Sequence, residues 1–526
     1  MNDADYIIAG SGINALVCAA ILGRKGRSVL LLERNDRCGG CIRTEEITAP
    51  GFVHDVMATT FVLFVTSPAY KELGPDLETR GLAFANTDLP TGVVMPDGRQ
   101  LTLSTNRTRN IAAFDAACQG DGAAFAREMD RLGLDASFIF SLLGGSLWTS
   151  STLRLMLREG WRRSPRSLAA FFGEALVSGR AYLESRFTSQ LVHALFAPWV
   201  LHVGLGPESA YGAQMLKVIG FALEAAGAPI VKGGAGNLLR AFEQLIKDQG
   251  GTIRTSADVD LIERDERGRA RGVRLSDGTS MTAAKGVICS VGPGQLYKRL
   301  LRDDSLPADV VDGLATFRYG KGNFQLHYAL SEPPRWKSGD LNGVALLHLT
   351  PGLDGVSRAT NECERSLLPA VPTICVGQPA SLDPQRAPAG RAILWLQIPE
   401  VPRFIKGDAA AEIQAPHDGY WTEEVRERFA DRVEGILEQY IDGFGSAIVA
   451  RRAYSPADLE NLNINLVGGD PYGGFCGLDQ SFVWRPFKTS VNSHTHVPAL
   501  YHIGASTHPG PGLSGGSGYL LAHRLR

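Results

Sequence analysis

The sequence has no surplus of either charge. Its 53 Lys and Arg against 55 Asp and Glu leave a formal net charge of −2 over 526 residues. Nucleic-acid binding as the main task therefore has no electrostatic support. Cysteine is sparse: eight residues, at 18, 38, 41, 118, 289, 363, 375 and 476, form no dense framework. A small disulfide-stapled secreted fold is excluded. The opening "MNDADYIIAGSG" carries neither a basic region nor a separate apolar segment, so the expectation is a chain without a signal peptide in a reducing, cytoplasmic setting. Long apolar runs are also scarce. One charge-free stretch that resembles a membrane span, "ASFIFSLLGGSLWTSSTL" (136–153), has two central glycines and seven Ser or Thr. It is a poor membrane span, which needs about 20 predominantly apolar residues.

What is present is glycine, clustered towards both ends, and enough length for two or more domains. "DYIIAGSGINALVCAAILGRKGRSVLLLERND" reads as a buried strand, a glycine turn, a helix with apolar residues at helical spacing, and a second buried strand. Its turn, Gly10-Ser11-Gly12-Ile13-Asn14-Ala15, is the G-x-G-x-x-A variant of the dinucleotide fingerprint. Gly10 permits the tight turn, Gly12 lets backbone N–H groups approach a pyrophosphate, and Ala15 lets the helix pack closely on the strand. Glu33 follows about 20 residues later, where a carboxylate accepts hydrogen bonds from an adenosine ribose. The expected fold class is α/β. No second fingerprint follows: "GGAGNLL" lacks a preceding buried strand and "SVGPGQL" lacks the third small residue, so no nicotinamide cofactor site is expected.

Beyond Glu33 and Arg34, the run Arg37-Cys38-Gly39-Gly40-Cys41-Ile42-Arg43-Thr44 resembles the R-x-G-G-x-x-x-[ST] extension of flavoproteins in the amine-oxidase and phytoene-desaturase superfamily. The resemblance implies that Arg34, Arg37, Gly39, Gly40 and Cys41 lie along the phosphates and ribitol of FAD. Cys38 and Cys41 could also be read as a C-x-x-C redox pair. A redox pair needs a lowered thiol pKa and access for a partner disulfide, and a cofactor filling the loop would obstruct that access. The other end, "GASTHPGPGLSGGSG" (504–518), closely resembles the last motif of the phytoene-desaturase and carotenoid-isomerase family, including its pyridine-nucleotide-disulfide-oxidoreductase-domain-2 branch. "FRYGKGNFQLHYAL" and "GGDPYGGFCGLDQSFVWRP" carry the likeness through the middle. It implies non-covalent FAD held also by Gly504, Ala505, Gly512, Leu513 and Ser514, with the backbone of Val259 reading the adenine.

The organisation implied is a Rossmann-type FAD-binding domain from residues 1–65, 225–310 and 455–526. A discontinuous α+β substrate domain would come from 66–224 and 311–454. Within the latter, "TLRLMLREGWRRSPRS" (152–167) places Leu153, Met156, Leu157 and Trp161 on one stripe beside Arg154, Arg158 and Arg162. The first reading is a surface helix whose apolar side packs on the protein. The second is peripheral contact with a membrane interface.

The leading expectation for function is dehydrogenation (desaturation) of a carbon–carbon bond in a hydrophobic substrate, with hydride passing to flavin and electrons leaving to O2 or a quinone. The alternatives are amine oxidation, redox-neutral isomerisation or saturation of a polyene, and a membrane-associated scaffold that holds FAD without turnover. His508, His54 and Asp55 are the catalytic candidates, each with a structural alternative. His494-x-His496 has no third ligand nearby, so no metal site is expected. Substrate identity and oligomeric state have no signature.

Overall fold

The computed structural model describes residues 3–302 and 306–525. The opening unit is strand β1 (Ala4–Ala9), helix α1 (Ile13–Arg24) and strand β2 (Val29–Leu32). β1 and β2 pair in parallel, with Tyr6 opposite Val29 and Ala9 opposite Leu32. All four residues of β2 are buried, as expected for a parallel strand covered on both faces. Strand Thr252–Arg254 extends the sheet beyond β2. On the other side the long strand Ser280–Ser290 pairs in parallel with β1 and then with Leu500–Ile503. Its first half leaves this sheet to pair antiparallel with Ala270–Leu275.

α1 is covered by helix Gly236–Asp248 and by the last helix, Gly516–Arg524. The contact with the last helix is very close. A Cβ on Gly518 would lie 1.8 Å from the Asn14 carbonyl oxygen, so glycine is required there. The Asn14 side-chain oxygen also accepts from Ser517 N and Oγ, at 3.2 and 2.9 Å. The starts of two helices from opposite ends of the chain are thus tied side by side.

A second, seven-stranded sheet runs in the order Ile448–Tyr454, Gly322–Leu330, Ala392–Val401, Ile374–Gly377, Leu346–Leu349, Thr91–Val94, Gln100–Leu103. Leu326, Leu396, Val376 and Leu347 are cross-strand neighbours on one face, where Phe429, Val433 and Leu437 of helix Glu423–Tyr440 cover them. The opposite face looks towards the first sheet and the helices of the insertion between residues 107 and 226. Residues 179–226 form helices Gly179–Arg186, Gln190–Phe196 and Gly212–Ala226 with a 3-10 turn between the last two. Gly204 at φ +76° and Tyr211 at φ +75° interrupt this run.

The charge-free stretch 136–153 is split between the end of helix Asp121–Gly144 and the start of helix Ser150–Arg163. Among the described residues, no helix is long and apolar enough to cross a membrane. Helix Ser150–Arg163 departs from the first reading given above. Leu153, Leu157 and Trp161 are 61, 64 and 93 % exposed, so the apolar stripe does not pack on the protein. The inward side is held by charge instead. Buried Glu159 accepts from Arg163 at 3.0 Å, and the Arg163 guanidinium lies over the rings of Phe138 and Phe171. A salt-bridged Arg covering aromatic faces has taken the place the leucines were expected to fill.

Candidate functional site

A cavity of about 480 Å³ opens at the carboxyl ends of the parallel strands and runs on beneath the second sheet. This is where ligands bind in open α/β sheets. Its first part is the glycine turn after β1. Gly10, at φ +91°, passes so close to the next strand that a Cβ would sit 2.8 Å from the Ser290 carbonyl oxygen. Gly12 differs: its φ is −63° and a Cβ there would meet nothing within 4 Å. It faces open space at the start of α1, where the N–H groups of Ile13 and Asn14 have no partner within the helix. Ser11, Ile13 and Asn14 line the same wall, whereas Ala15 is buried behind it in the α1 core.

Glu33 and Arg34 line the next part of the wall with Val259. Glu33 is fixed by three hydrogen bonds, from Ser11 N (3.1 Å), Ser11 Oγ (2.6 Å) and Asn35 N (2.9 Å). The Val259 carbonyl accepts from Arg299, which also pairs with Asp258. Gly39, Gly40 and Cys41 reach the cavity where Gly39 bridges to Gly12. Arg37 does not: it is half exposed and pairs with Glu45 at 2.8 Å and with Asp36 at 3.3 Å. The resemblance assigned it to the phosphates, but these two local carboxylates hold it away from the cavity wall. Burial pushes the Cys38 thiol up to about 12 and Cys41 to about 11, the reverse of what a reactive dithiol needs.

The C-terminal loop closes the far side. Gly504, Ala505, Gly512 and Leu513 line the cavity, while Ser514 turns back so that its hydroxyl accepts from Gly516 N. Arg485 beside the loop donates to the carbonyls of Ala505, Tyr472 and Gln480, so its charge is spent on backbone.

The three catalytic candidates do not line the cavity. His508 donates its Nε2 hydrogen to the Gly145 carbonyl at 2.8 Å, and burial lowers its pKa to about 4. His54 bonds Thr48 at 2.7 Å and is lowered by burial to about 2. Asp55 accepts from Thr44 Oγ1, Ala235 N and Arg386. Arg386 and Asp55 are fully buried partners at 2.9 Å. These are joints between segments, and His54 and Asp55 are not bonded to each other.

Sequence reasoning missed the wall that lies under the second sheet. Asn323, Gln325, Trp395 and Gln397 line it from the sheet, and Trp199 and His202 from the insertion. Trp395 donates to the Met57 carbonyl at 3.0 Å, which docks the sheet on the segment around Met57. His202, His348 and Cys375 bring one nitrogen or sulfur atom each within 4.8 Å of one another. The two imidazoles share a hydrogen between their Nε2 atoms at 2.9 Å. Burial lowers His202 to about 4 and holds His348 well below the ordinary range, so both are neutral near pH 7. The alternation of polar and apolar residues in "GNFQLHYAL" and "AILWLQIPEV" was the signal that these strands present amides to one face.

A dinucleotide turn joined to a C-terminal glycine loop, with a second sheet roofing the space between them, defines a flavoprotein oxidoreductase. The open cradle at Gly12 and the free N–H groups of α1 suit the pyrophosphate of FAD. The chain belongs to the flavin containing amine oxidoreductase family, whose model matches residues 16–429, and FAD is its cofactor. It is 27 % identical to the pyridine nucleotide-disulfide oxidoreductase domain-containing protein 2 of Mus musculus, covering 99 % of this chain and 92 % of that one. It is 24 % identical to a neurosporene-forming phytoene desaturase of Rhodobacter capsulatus (99 and 93 %) and 23 % to a limonene dehydrogenase component of Castellaniella defragrans (99 and 94 %). Among solved structures, an oxidoreductase from Methanosarcina mazei superposes with a TM-score of 0.60 at 16 % identity, covering 99 % of both chains. Putrescine oxidase bound to putrescine superposes at 0.59 with 16 % identity, covering 99 % of this chain and 98 % of that one. These likenesses carry the fold.

Proposed function

We propose that the protein dehydrogenates a carbon–carbon bond of an uncharged, largely apolar substrate, with O2 or a quinone as final acceptor. The observation that carries this reading is the chemistry of the wall beneath the second sheet. Among the described residues it offers aromatic and aliphatic side chains, primary amides and a neutral imidazole, and no free carboxylate or cation. A charged substrate group would enter without a partner, which is costly in a desolvated cavity. The similarity to a phytoene desaturase and a limonene dehydrogenase component points the same way.

In this reading residues 1–65, 225–310 and 455–526 hold FAD and the remainder holds the substrate. The α1 start with Gly10 to Asn14 takes the pyrophosphate; Glu33, Arg34 and Val259 take the adenosine; Gly39 to Cys41 and the loop Gly504 to Leu513 flank the flavin. Bound FAD supplies a two-electron acceptor for the hydride, and a water or solvent-linked base takes the neighbouring proton. The protein's own part is to exclude bulk water and to press an apolar chain into position between Trp199 and Trp395. The exposed stripe Leu153, Leu157 and Trp161, flanked by Arg154 and Arg158, would rest on an anionic membrane surface. Leu143, at the end of the preceding helix, already lines the cavity.

Anaerobic mixing of the yellow holoprotein with candidate donors tests the reaction. Bleaching by terpene or polyene hydrocarbons and their alcohols supports it. Bleaching by amines alone replaces it with amine oxidation, and turnover only after prior reduction of the flavin replaces it with isomerisation.

A further inference from the structure

Four strands of the second sheet carry an uncharged polar row across the face that looks into the cavity. Gln325 of Gly322–Leu330 pairs with Gln397 of Ala392–Val401, which pairs with Cys375 of Ile374–Gly377, which pairs with His348 of Leu346–Leu349. Direct cross-strand partners point to the same face, and Cys375 and Trp395 pack with the insertion helices on that face. His202 reaches down from the insertion to bond His348 at 2.9 Å. Asn323 stands two residues before Gln325, so it too points to this face.

The row is not internally satisfied. Among the described residues the side-chain amides of Asn323, Gln325 and Gln397 make no hydrogen bond within the protein. Asn323 Oδ1 and Gln325 Oε1 are buried orphans, and so is His348 Nδ1. Buried polar groups are normally paired, and an exception calls for a missing partner. All three amides and His202 line the cavity, so the missing partner is something that enters it. The neighbours in the wall, Trp199, Trp395 and Leu346, offer mainly apolar surface, and the Trp199 Nε1–H is one more buried donor without a partner among the described residues.

We propose that this row is the recognition site for a neutral oxygen function, a hydroxyl or carbonyl, on an otherwise hydrocarbon substrate. The inference rests on the dehydrogenation reading above and narrows its substrate class from pure hydrocarbons to oxygenated ones. Primary amides both donate and accept. The imidazole pair does likewise: with the shared hydrogen on His202 Nε2 the His202 Nδ1 accepts, and with it on His348 Nε2 the His202 Nδ1 donates, each ring exchanging its Nδ1 proton with water or ligand so that both stay neutral. A hydroxyl and a carbonyl are therefore both served. A carboxylate or an ammonium is not, since no opposite charge stands in the row. The pair is also set too close for a metal bridge. Two nitrogens at about 2.0–2.1 Å from a tetrahedral zinc lie on the order of 3.3 Å apart, whereas these lie at the distance of a direct hydrogen bond.

Matched pairs of probes test the proposal on the holoprotein: farnesol against farnesene, and 1-decanol against decane. Quenching of the cavity tryptophans reads binding without using the flavin, while visible absorbance reads flavin content separately. The alcohols should bind at least about tenfold tighter than the hydrocarbons, because a hydrocarbon displaces water and leaves the amides unpaired. Gln397→Leu and Gln325→Leu should bring the two affinities together by tightening the hydrocarbon and weakening the alcohol. Equal affinities in the unaltered protein, or no binding by any probe, overturn the proposal. So does a Gln397→Leu protein that keeps its discrimination but loses flavin or shifts its spectrum, since the amides would then serve the cofactor. Stoichiometric zinc in the purified protein, lost in His348→Gln, would make the imidazole pair a metal site instead. Intact discrimination with no bleaching by any donor sinks the dehydrogenation alone.

Discussion

Two glycines of the same turn, Gly10 and Gly12, are required for opposite reasons. At Gly10 an added methyl would meet the Ser290 carbonyl from within a left-handed backbone, so Gly10→Ala should destabilise the fold itself by about 1–3 kcal/mol. At Gly12 the backbone is ordinary and the space beyond it is empty of protein. Gly12→Val should therefore fold with an unchanged circular dichroism spectrum and nearly unchanged melting temperature, yet be purified largely without flavin. Loss of fold in Gly12→Val, or full flavin content, would contradict the placement of the pyrophosphate there. Glu400 poses a different single-residue question. It is fully buried, accepts from Thr373 N at 2.7 Å with no second hydrogen bond among the described residues, and is lifted by burial to about 7. The native state thus holds a proton that the unfolded chain releases near 4.5. The resulting stability is complete below that value and is lost as pH rises through 7. Glu400→Gln should match the unaltered protein at pH 5 and exceed it at pH 8 by on the order of 1–3 kcal/mol, measured by denaturant melts at both values.

At the scale of elements, helix Ser150–Arg163 shows how far pattern reading carries. Its stripe of Leu and Trp at helical spacing correctly marked an amphipathic helix, but spacing cannot tell which side meets the protein. That was decided by Asp135 and Glu159 binding Arg163 over two phenylalanines, contacts that reach well beyond the helix. The outward apolar stripe makes a vesicle assay direct. The protein should sediment with vesicles containing phosphatidylglycerol more than with pure phosphatidylcholine. Replacing Leu157 and Trp161 together by Ser should lower the partition coefficient about tenfold or more. Unchanged sedimentation would remove the membrane from the picture. The opening strand, helix and strand were legible almost to the residue, because a buried parallel strand, a glycine turn and a helix stop are all local signals. Arg37 was misplaced for the opposite reason. A motif fixes the order of residues, whereas Asp36 and Glu45 fix where this guanidinium points.

For the whole molecule, the two sheets differ in how openly the chain announces them. The dinucleotide sheet is built around one contiguous fingerprint. The second sheet joins strands from residues 91 to 454, and its polar row exists only once four strands are in register, so neither it nor the His202 contact could be read from spacing. The fold as a whole buries many imidazoles. His54, His202, His327, His348, His502 and His508 all have their pKa lowered by burial. The unfolded chain binds protons at these sites below about 6.5 while the native state stays neutral. Their contribution is present above that value and is lost as pH falls towards 4. Melting temperature should accordingly drop steeply from pH 6.5 to 4.5, and the drop should shrink in His54→Gln if that ring carries its share.

The tie between Asn14 and Ser517 has a consequence for biosynthesis. The half of the nucleotide cradle made by the first strand and helix is synthesised 503 residues ahead of the counterpart that Ser517 belongs to. A nascent chain therefore has nowhere complete to lodge its yellow prosthetic group until that counterpart has emerged, and loading must wait for it. Flavin shortage during expression should then accumulate full-length, empty protein that can be rescued afterwards by supplying FAD.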